Sequence, residues 1–278
     1  MSDSRDRDRT VELHGQVFHY TEWGDPGAAP VVMLHGITGH ARSWDDEAAA
    51  LAERYHVLAF DQRGHGDSAP APDGDYSTDA FAADLGAFLD ALHLRTVHVV
   101  ALSLGGRVAI AFAGRNPKRV RRLVIVDIGP DIAPEGRARV GRMIAGSPER
   151  FDSVEQALAF ARAANPRYRE TALRHRVGHG LRAHGNGFAW KYDREIREQM
   201  RSGRWRDVID LWPLWAAIAC PALIVRGAES DILSPEIAKR MLETQPHARL
   251  VEVENAGHTV PGDQPEVFLK IVRDFLAS

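Results

Sequence analysis

One stretch of the chain, residues 96–112, reads Thr96-Val-His-Val-Val-Ala-Leu-Ser103-Leu-Gly-Gly-Arg-Val-Ala-Ile-Ala-Phe112. Its first part is short, apolar and rich in β-branched residues, which is typical of a buried strand, and the part after Ser103 has the apolar spacing of a helix. A sharp strand-to-helix turn forces its apex residue into a rarely populated backbone conformation, and the small neighbours Ala101, Gly105 and Gly106 make this possible. We therefore expect the Ser103 hydroxyl to stand clear of a sheet, at the positive end of a helix whose N–H groups stabilise an oxyanion.

The composition is that of a globular protein. The chain has 278 residues, 44% of them hydrophobic and 26% charged, which suffices for one large core. A formal net charge of −3 argues against nucleic acid as a partner. The single cysteine, Cys220, allows no internal disulfide, and we expect it to be a buried small hydrophobe. The first ten residues are polar rather than signal-like, and the chain has no apolar run long enough to span a bilayer. We expect a cytoplasmic protein with no membrane partner, and the composition leaves the oligomeric state open.

Strand and helix patterns alternate along most of the chain, which predicts an α/β fold with a doubly wound, mostly parallel sheet. Residues 1–9 are a charged segment, expected to be a mobile tail. The sheet and its helices are predicted from residues 10–127 and 216–278. Between them, residues 128–215 show helical patterns and no strand run, which predicts a helical cap insertion over the strand ends.

The motif around Ser103 resembles the nucleophile elbow of the α/β-hydrolases, Gly-x-Ser-x-Gly, with Ala101 in place of the first glycine. The match continues near the C-terminus with His258, which follows a glycine as it does in the family. A serine hydroxyl needs a base, and the base needs a carboxylate that orients it. The resemblance implies the catalytic order Ser103, Asp231, His258.

The acid is the least certain member of this predicted triad. Asp231 follows a predicted strand that ends at Arg226, but it lies one residue further along than the commonest family spacing, which leaves Glu229 as an alternative. Asp127 is a second alternative, because some members of the family place the acid after that earlier strand. Asp231 is the first choice among the three.

An oxyanion hole requires two backbone donors that converge on one point. Leu104 offers one N–H at the start of the predicted helix. The segment His35-Gly-Ile-Thr-Gly39 resembles the oxyanion loop of the family, in which the N–H of Ile37 is the second donor. Gly36 and Gly39 let this backbone approach the substrate.

The insertion is expected to shape the substrate pocket. Trp190 and Trp212 are chosen, together with Gly36, as candidate substrate-binding residues, although most of the insertion's aromatic side chains are expected to pack between cap and core. The full aromatic set is Phe188, Trp190, Tyr192, Trp205, Trp212 and Trp215. A group of arginines at 137, 139 and 142 suits an anionic substrate or, more commonly, a solvated helix face.

Other histidines are possible catalytic or metal-binding groups. His65 and His98 are expected to be structural. His175 and His179 have the i, i+4 spacing of metal ligands, but Arg176 stands where a metalloprotease has glutamate and no third ligand is evident, so a solvated helix face is expected. The sequence therefore predicts no metal and no cofactor.

These observations favour a serine hydrolase of a small-molecule carboxylic ester or lactone. A serine at the apex argues against the dehalogenases and epoxide hydrolases of the family, which use aspartate. A C–C bond hydrolase of ring-cleavage products is the second choice, because those enzymes usually carry a polar residue where this chain has Leu102. A cofactor-free perhydrolase and a ligand-binding receptor that retains the triad are further alternatives.

Overall fold

The computed structural model describes residues 7–205 and 208–278, which form a mostly parallel sheet flanked by helices. The strands of this part of the chain are β1 (Asp8–Leu13), β2 (Gln16–Trp23), β3 (Ala29–Leu34), β4 (Tyr55–Phe60), β5 (Val97–Leu102), β6 (Val120–Val126), β7 (Leu181–His184), β8 (Gly187–Trp190), β9 (Ala222–Gly227) and β10 (Ala248–Val253). Eight of them form one sheet in the order β1-β2-β4-β3-β5-β6-β9-β10. β1, β2 and β4 pair antiparallel, and the other neighbours pair parallel. The α/β fold class is confirmed.

The helices are α1 (Asp45–Leu51), α2 (Thr78–Ala91), α3 (Leu104–Arg115), α4 (Pro134–Ala145), α5 (Val154–Ala164), α6 (Glu170–Gly180), α7 (Arg194–Ser202), α8 (Trp212–Ala216), α9 (Pro235–Thr244), α10 (Val260–Asp263) and α11 (Pro265–Ala277). A short 3₁₀ turn, Ala41–Trp44, precedes α1. No helix in residues 7–205 and 208–278 combines the length and the apolar character needed to cross a membrane.

Both faces of the sheet are buried, which explains why its central strands are continuous apolar runs. Successive side chains of β3 point to opposite faces. Val32 and Leu34 belong to the core under α2 and α3, whereas Val31 and Met33 belong to the core under α1 and α11. The central strands are thereby fixed, and their carboxyl ends become a rigid platform.

The segment between β6 and β9 carries α4 to α8, as the helical patterns predicted, but it also contains the hairpin β7–β8. The expectation that this insertion has no strand is therefore wrong. The hairpin lacks an apolar run because three of the four β7 residues are exposed. Its turn residue Gly185 has φ of 60°, which a two-residue hairpin turn requires.

The predicted tail boundary also differs from the structure. Residues 1–6 lie outside the described residues, but residues 7–9 are described, and β1 begins at Asp8. The Asp8 carboxylate contacts Arg42 Nη2 at 2.6 Å and His19 Nε2 at 2.9 Å. These contacts fix the charged residues 7–9, whose sequence has no apolar pattern that predicts a strand.

The turn between β5 and α3 is packed too closely for side chains. A Cβ atom on Gly105 would lie 2.6 Å from the Leu34 carbonyl oxygen, and one on Gly106 would lie 2.3 Å from Cγ2 of Ile128. The N–H of Gly105 also donates to the His35 carbonyl at 3.2 Å. The start of α3 is thus set against the end of β3.

We predict that Gly105→Ala destabilises the protein by roughly 1–3 kcal/mol, because the added methyl group meets backbone that cannot move freely. Gly141→Ala is the matched control: Gly141 lies inside α4, and a methyl group added there would have no atom within 4 Å apart from its chain neighbours and the nearby backbone of its own helix. At that position the same change should stabilise the protein, raising the free energy of unfolding by roughly 0.4–1 kcal/mol. Urea unfolding of both variants measures the difference, and equal effects would contradict the packing argument.

Candidate active site

Ser103 lies at the turn from β5 to α3 with φ of 54° and ψ of −116°, as the small residues around it predicted. Its N–H donates to the Val126 carbonyl at 3.1 Å, which ties the turn to the end of β6. Such a backbone conformation costs of the order of 1–3 kcal/mol and persists only where the surrounding structure enforces it. The side chain is presented above the sheet.

His258 reaches Ser103 from the loop between β10 and α10. Its Nε2 lies 2.9 Å from Ser103 Oγ, which is hydrogen-bond distance. The loop is fixed by the Gly257 N–H, which donates to Asp263 Oδ2 at 2.8 Å. A Cβ atom on Gly227 would lie 2.1 Å from the Gly257 carbonyl oxygen, so the end of β9 packs directly against this loop. The structure thus brings together the predicted serine and histidine.

Asp127 is the carboxylate that contacts the imidazole. Its Oδ2 lies 2.8 Å from His258 Nδ1 and also accepts a hydrogen bond from the Ser230 hydroxyl, while its Oδ1 accepts from the Gly227 N–H at 2.9 Å. A carboxylate only accepts, so His258 Nδ1 is the donor. The side chain is fully buried, and the residue has φ of 50° at the end of β6.

Asp231, the first choice from sequence, is wrong as the partner of His258. Its carboxylate forms a two-pronged ion pair with Arg139 of α4, with N–O distances of 2.5 and 2.8 Å. The hydrogen bond from this guanidinium lowers the pKa of Asp231. Glu229 pairs likewise with Arg167. The loop after β9 therefore turns both carboxylates toward the insertion and leaves the imidazole to Asp127.

The predicted oxyanion loop lies beside the serine. Gly36 approaches so closely that a Cβ atom on it would lie 3.2 Å from Ser103 Cβ. Gly36 and Ile37 both line the cavity above the serine. Leu104 is the first residue of α3, where N–H groups have no partner within the helix. The backbone positions of Ile37 and Leu104 thus suit two donors, and their catalytic role remains a prediction.

His35 shapes that loop from beneath. Its Nε2 accepts a hydrogen bond from the Gln62 N–H at 3.1 Å, and its Nδ1 lies 2.9 Å from the Gly36 carbonyl oxygen. Burial lowers the pKa of His35 to about 3, so the ring is neutral and holds one proton for these two contacts. The ring of His65 lies 5.1 Å from that of His35, and burial lowers its pKa to about 4. His65 therefore packs under the loop, as expected.

A cavity of about 510 Å³ opens above Ser103 and His258. Of the two tryptophans predicted to bind substrate, Trp190 lines this cavity and Trp212 does not. The Trp212 indole donates to Asp131 at 2.8 Å and lies under the Arg240 guanidinium, 3.7 Å away, outside the cavity lining. Sequence reasoning missed other lining side chains, namely Met143, Ile144, Phe160 and Tyr168.

The remaining sequence candidates have structural surroundings. His98 is buried in β5, with its ring 5.8 Å from that of Tyr55. Cys220 is buried, as expected, and burial raises its pKa to about 11. His175 and His179 do not form a simple solvated face, since His175 contacts the buried side chain of Asp45 at 3.1 Å.

Comparison with known proteins agrees with this fold. A family model described as the alpha/beta hydrolase fold matches residues 29–265. Esterase Rv0045c of Mycobacterium tuberculosis is 34% identical over 218 residues, covering 75% of this chain and 70% of the esterase. N-formylmaleamate deformylase of Pseudomonas putida is 30% identical over 214 residues, covering 75% and 74% of the two chains. The crystal structure of E-2-(acetamidomethylene)succinate hydrolase superposes with a TM-score of 0.89 at 27% identity, covering 98% of this chain and 99% of the other.

We predict that the His258 Nδ1 proton gives a low-field resonance in proton NMR spectra in water, because it is donated to a buried carboxylate. Asp127→Asn should remove this resonance and Asp231→Asn should leave it in place. The two variants make the same chemical change, one at the carboxylate that contacts His258 and the other at the carboxylate that pairs with Arg139. Loss of the signal in the Asp231 variant alone would contradict the assignment of Asp127.

Proposed function

Since the chain belongs to the α/β-hydrolase family, we propose that it is a serine hydrolase that cleaves a carboxylic ester or lactone through an acyl-enzyme on Ser103. The observation that carries the proposal is the continuous hydrogen-bond chain from Ser103 Oγ to His258 Nε2, at 2.9 Å, and from His258 Nδ1 to Asp127, at 2.8 Å. Such a chain converts a weak hydroxyl nucleophile into a reactive one.

In the first step, Ser103 Oγ attacks the carbonyl carbon while His258 Nε2 takes the hydroxyl proton. The carbonyl oxygen becomes an oxyanion, which accepts hydrogen bonds from the backbone N–H groups of Ile37 and Leu104. Asp127 stabilises the imidazolium that forms. Collapse of the tetrahedral intermediate breaks the bond to the leaving alkoxide, and His258 returns the proton to that oxygen.

In the second step, a water molecule enters in place of the alcohol. His258 removes its proton as it attacks the acyl carbon, and collapse of the new intermediate breaks the bond to Ser103 Oγ. The serine recovers its proton from the imidazolium, and the carboxylic acid leaves. Both half-reactions use the same base and the same two oxyanion donors, so no further group is required.

The cavity supports a small acyl group. A volume of about 510 Å³ lies within the range of small-molecule sites, roughly 300–1,000 Å³. Apolar side chains such as Met143, Phe160 and Trp190 line it beside the serine. We infer that the acyl chain lies against these side chains and that long lipid-like chains fit poorly.

A second candidate is hydrolysis of an amide that carries a carboxylate. Arg139, Arg167 and Arg176 line the cavity, and cations of this kind bind carboxylates in bidentate fashion. Two of the similar proteins bear the names N-formylmaleamate deformylase and E-2-(acetamidomethylene)succinate hydrolase. Their names describe hydrolysis of acids with an amide bond, and the same Ser103 chemistry serves both bonds.

We predict that a fluorophosphonate probe labels the protein once and that p-nitrophenyl acetate releases nitrophenol with an initial burst. Ser103→Ala should abolish both, because the probe and the ester are each proposed to react with the Ser103 hydroxyl. Mass spectrometry of the labelled peptide locates the adduct. Absence of labelling and of turnover in folded protein would contradict the hydrolase and favour a binding protein.

The acid provides the matched comparison for that assay. Asp127→Asn should lower kcat by about 10⁴-fold, the size of the effect that the same change has in serine proteases, where it favours the wrong imidazole tautomer. Asp231→Asn, which removes the ion pair with Arg139 and leaves the contact between His258 and Asp127 in place, should change kcat far less. Similar losses in both variants would contradict Asp127 as the orienting carboxylate.

We also predict a charge preference in a panel of neutral esters, neutral amides and amides that carry a carboxylate. If the second candidate is right, Arg176→Ala should raise KM for the carboxylate-bearing compounds and leave neutral esters unaffected, because only the former contact a cation. Arg174→Ala is the control, since Arg174 lies on the same helix but pairs with Glu155 and Glu170 outside the cavity. Equal effects of both variants would exclude this role for Arg176.

A further inference from the structure

Two histidines of α6 face one carboxylate of the core. Asp45, at the start of α1, lies next to His175 and His179, and one ligand atom from each of the three lies within 4.8 Å of the other two. His175 Nε2 is 3.1 Å from Asp45 Oδ2, and the two imidazole rings are 4.6 Å apart. The spacing i, i+4 puts both imidazoles on one face of the helix.

Asp45 has binding capacity that the fold does not use. The residue is 8% exposed, and its Oδ1 has no hydrogen-bond partner among the described residues. A buried carboxylate oxygen without a partner is costly, so such an atom calls for an explanation. Asp45 and His175 also line a second cavity, of about 250 Å³, which borders the one above Ser103 and shares Tyr168 and Arg176 with its lining. An ion from solvent therefore has a route to the carboxylate.

The distances suit a transition metal after small side-chain movements. Metal–nitrogen and metal–oxygen bonds of about 2.0–2.2 Å in a tetrahedral site put neighbouring ligand atoms roughly 3.3–3.5 Å apart. The contact between His175 and Asp45 is already close to this separation. Nε2 of His175 also lies 3.1 Å from the Arg42 carbonyl oxygen, so a metal bound to Nε2 would take the place of the proton on that nitrogen.

Two cations lie near the cluster, and both have carboxylate partners outside it. Arg42 contacts Asp45 Oδ2 at 3.3 Å, but its Nη2 is held more closely by Asp8, at 2.6 Å. Lys191 interacts electrostatically with His179 and forms an ion pair with Asp67 at 2.6 Å. The charges of Arg42 and Lys191 are thus offset, which leaves Asp45 as the anion nearest the two imidazoles.

We propose that Asp45, His175 and His179 form a binding site for a divalent transition metal of the zinc class. Two imidazole nitrogens and one carboxylate oxygen are a ligand set that Zn²⁺ uses, with a fourth position left for water. Mg²⁺ and Ca²⁺ are excluded as preferred ions because they favour oxygen ligands.

Such a metal would join the insertion to the core close to the predicted oxyanion loop, residues 35–39. His175 and His179 lie on α6 of the insertion, whereas Asp45 directly follows the turn Ala41–Trp44. The residue before that turn, His40, already contacts the Arg176 carbonyl through Nε2 at 2.9 Å. Bound metal therefore strengthens an existing junction, and it should stabilise the folded chain because the unfolded chain lacks the assembled site.

The test uses full-length protein without a polyhistidine tag. Titration calorimetry with Zn²⁺ should give one equivalent bound and a raised melting temperature. Co²⁺ should produce the visible absorption bands of a four-coordinate site with nitrogen and oxygen ligands. His175→Gln and His179→Gln should each weaken Zn²⁺ binding at least about 100-fold, since even loss of an outer-shell partner costs 10–100-fold. Both changes are at accessible helix positions, so the variants are expected to fold.

Two further variants decide where the metal binds. His247→Gln, at an exposed histidine remote in sequence, should bind Zn²⁺ as the unaltered protein does. His258→Gln should also still bind one equivalent of Zn²⁺, which distinguishes this site from metal bound by the His258 imidazole. Unchanged binding in the His179 variant, or loss of binding in the His258 variant, would overturn the proposal. Neither result bears on the ester chemistry of Ser103.

Discussion

The backbone at Ser103 has to turn from β5 into α3 with φ held at 54°, and the surrounding structure follows from that constraint. Strain of this kind costs of the order of 1–3 kcal/mol, so the turn needs close packing to enforce it. Gly105 and Gly106 supply the packing because they let α3 approach Leu34 and Ile128 at distances that no Cβ atom allows. Gly36 also packs closely against the turn, because a Cβ atom on it would lie 3.2 Å from Ser103 Cβ. The position of the Ser103 hydroxyl is therefore set by the core beneath it.

Asp127 illustrates how pairing with a neighbouring strand positions a side chain more reliably than its place in a loop does. β6 is hydrogen-bonded to β5 along its length, so Asp127 at its end is fixed relative to Ser103. Donors from Gly227, Ser230 and His258 then hold both of its oxygens. Asp231 lies in the loop beyond β9, where its direction depends on which partner attracts it. In this fold that partner is Arg139, from the insertion.

The sheet, most of its helices and the Ser103–His258 pair could be predicted from sequence because each has a local cause. Apolar runs define the buried strands, and small residues define the sharp turn. The features that were missed have causes distant in the chain. Asp8 joins β1 through Arg42, and Trp212 is held away from the cavity by Asp131 and Arg240. No pattern within a short window records such contacts.

Ion pairs across the cavity connect the insertion to the loop after β9, and their modest strength matters for what can bind. Arg139 pairs with Asp231 and Arg167 with Glu229, through side chains that are between 37% and 47% exposed. Pairs this exposed contribute only about 0–1 kcal/mol each. A substrate carboxylate that takes over Arg139 therefore exchanges one carboxylate for another and leaves Asp231 in contact with water. That exchange costs little, whereas a neutral substrate gains nothing from breaking the pair. Under the second candidate function proposed above, a carboxylate-bearing compound therefore reaches Arg139 without any movement of the sheet that holds Ser103.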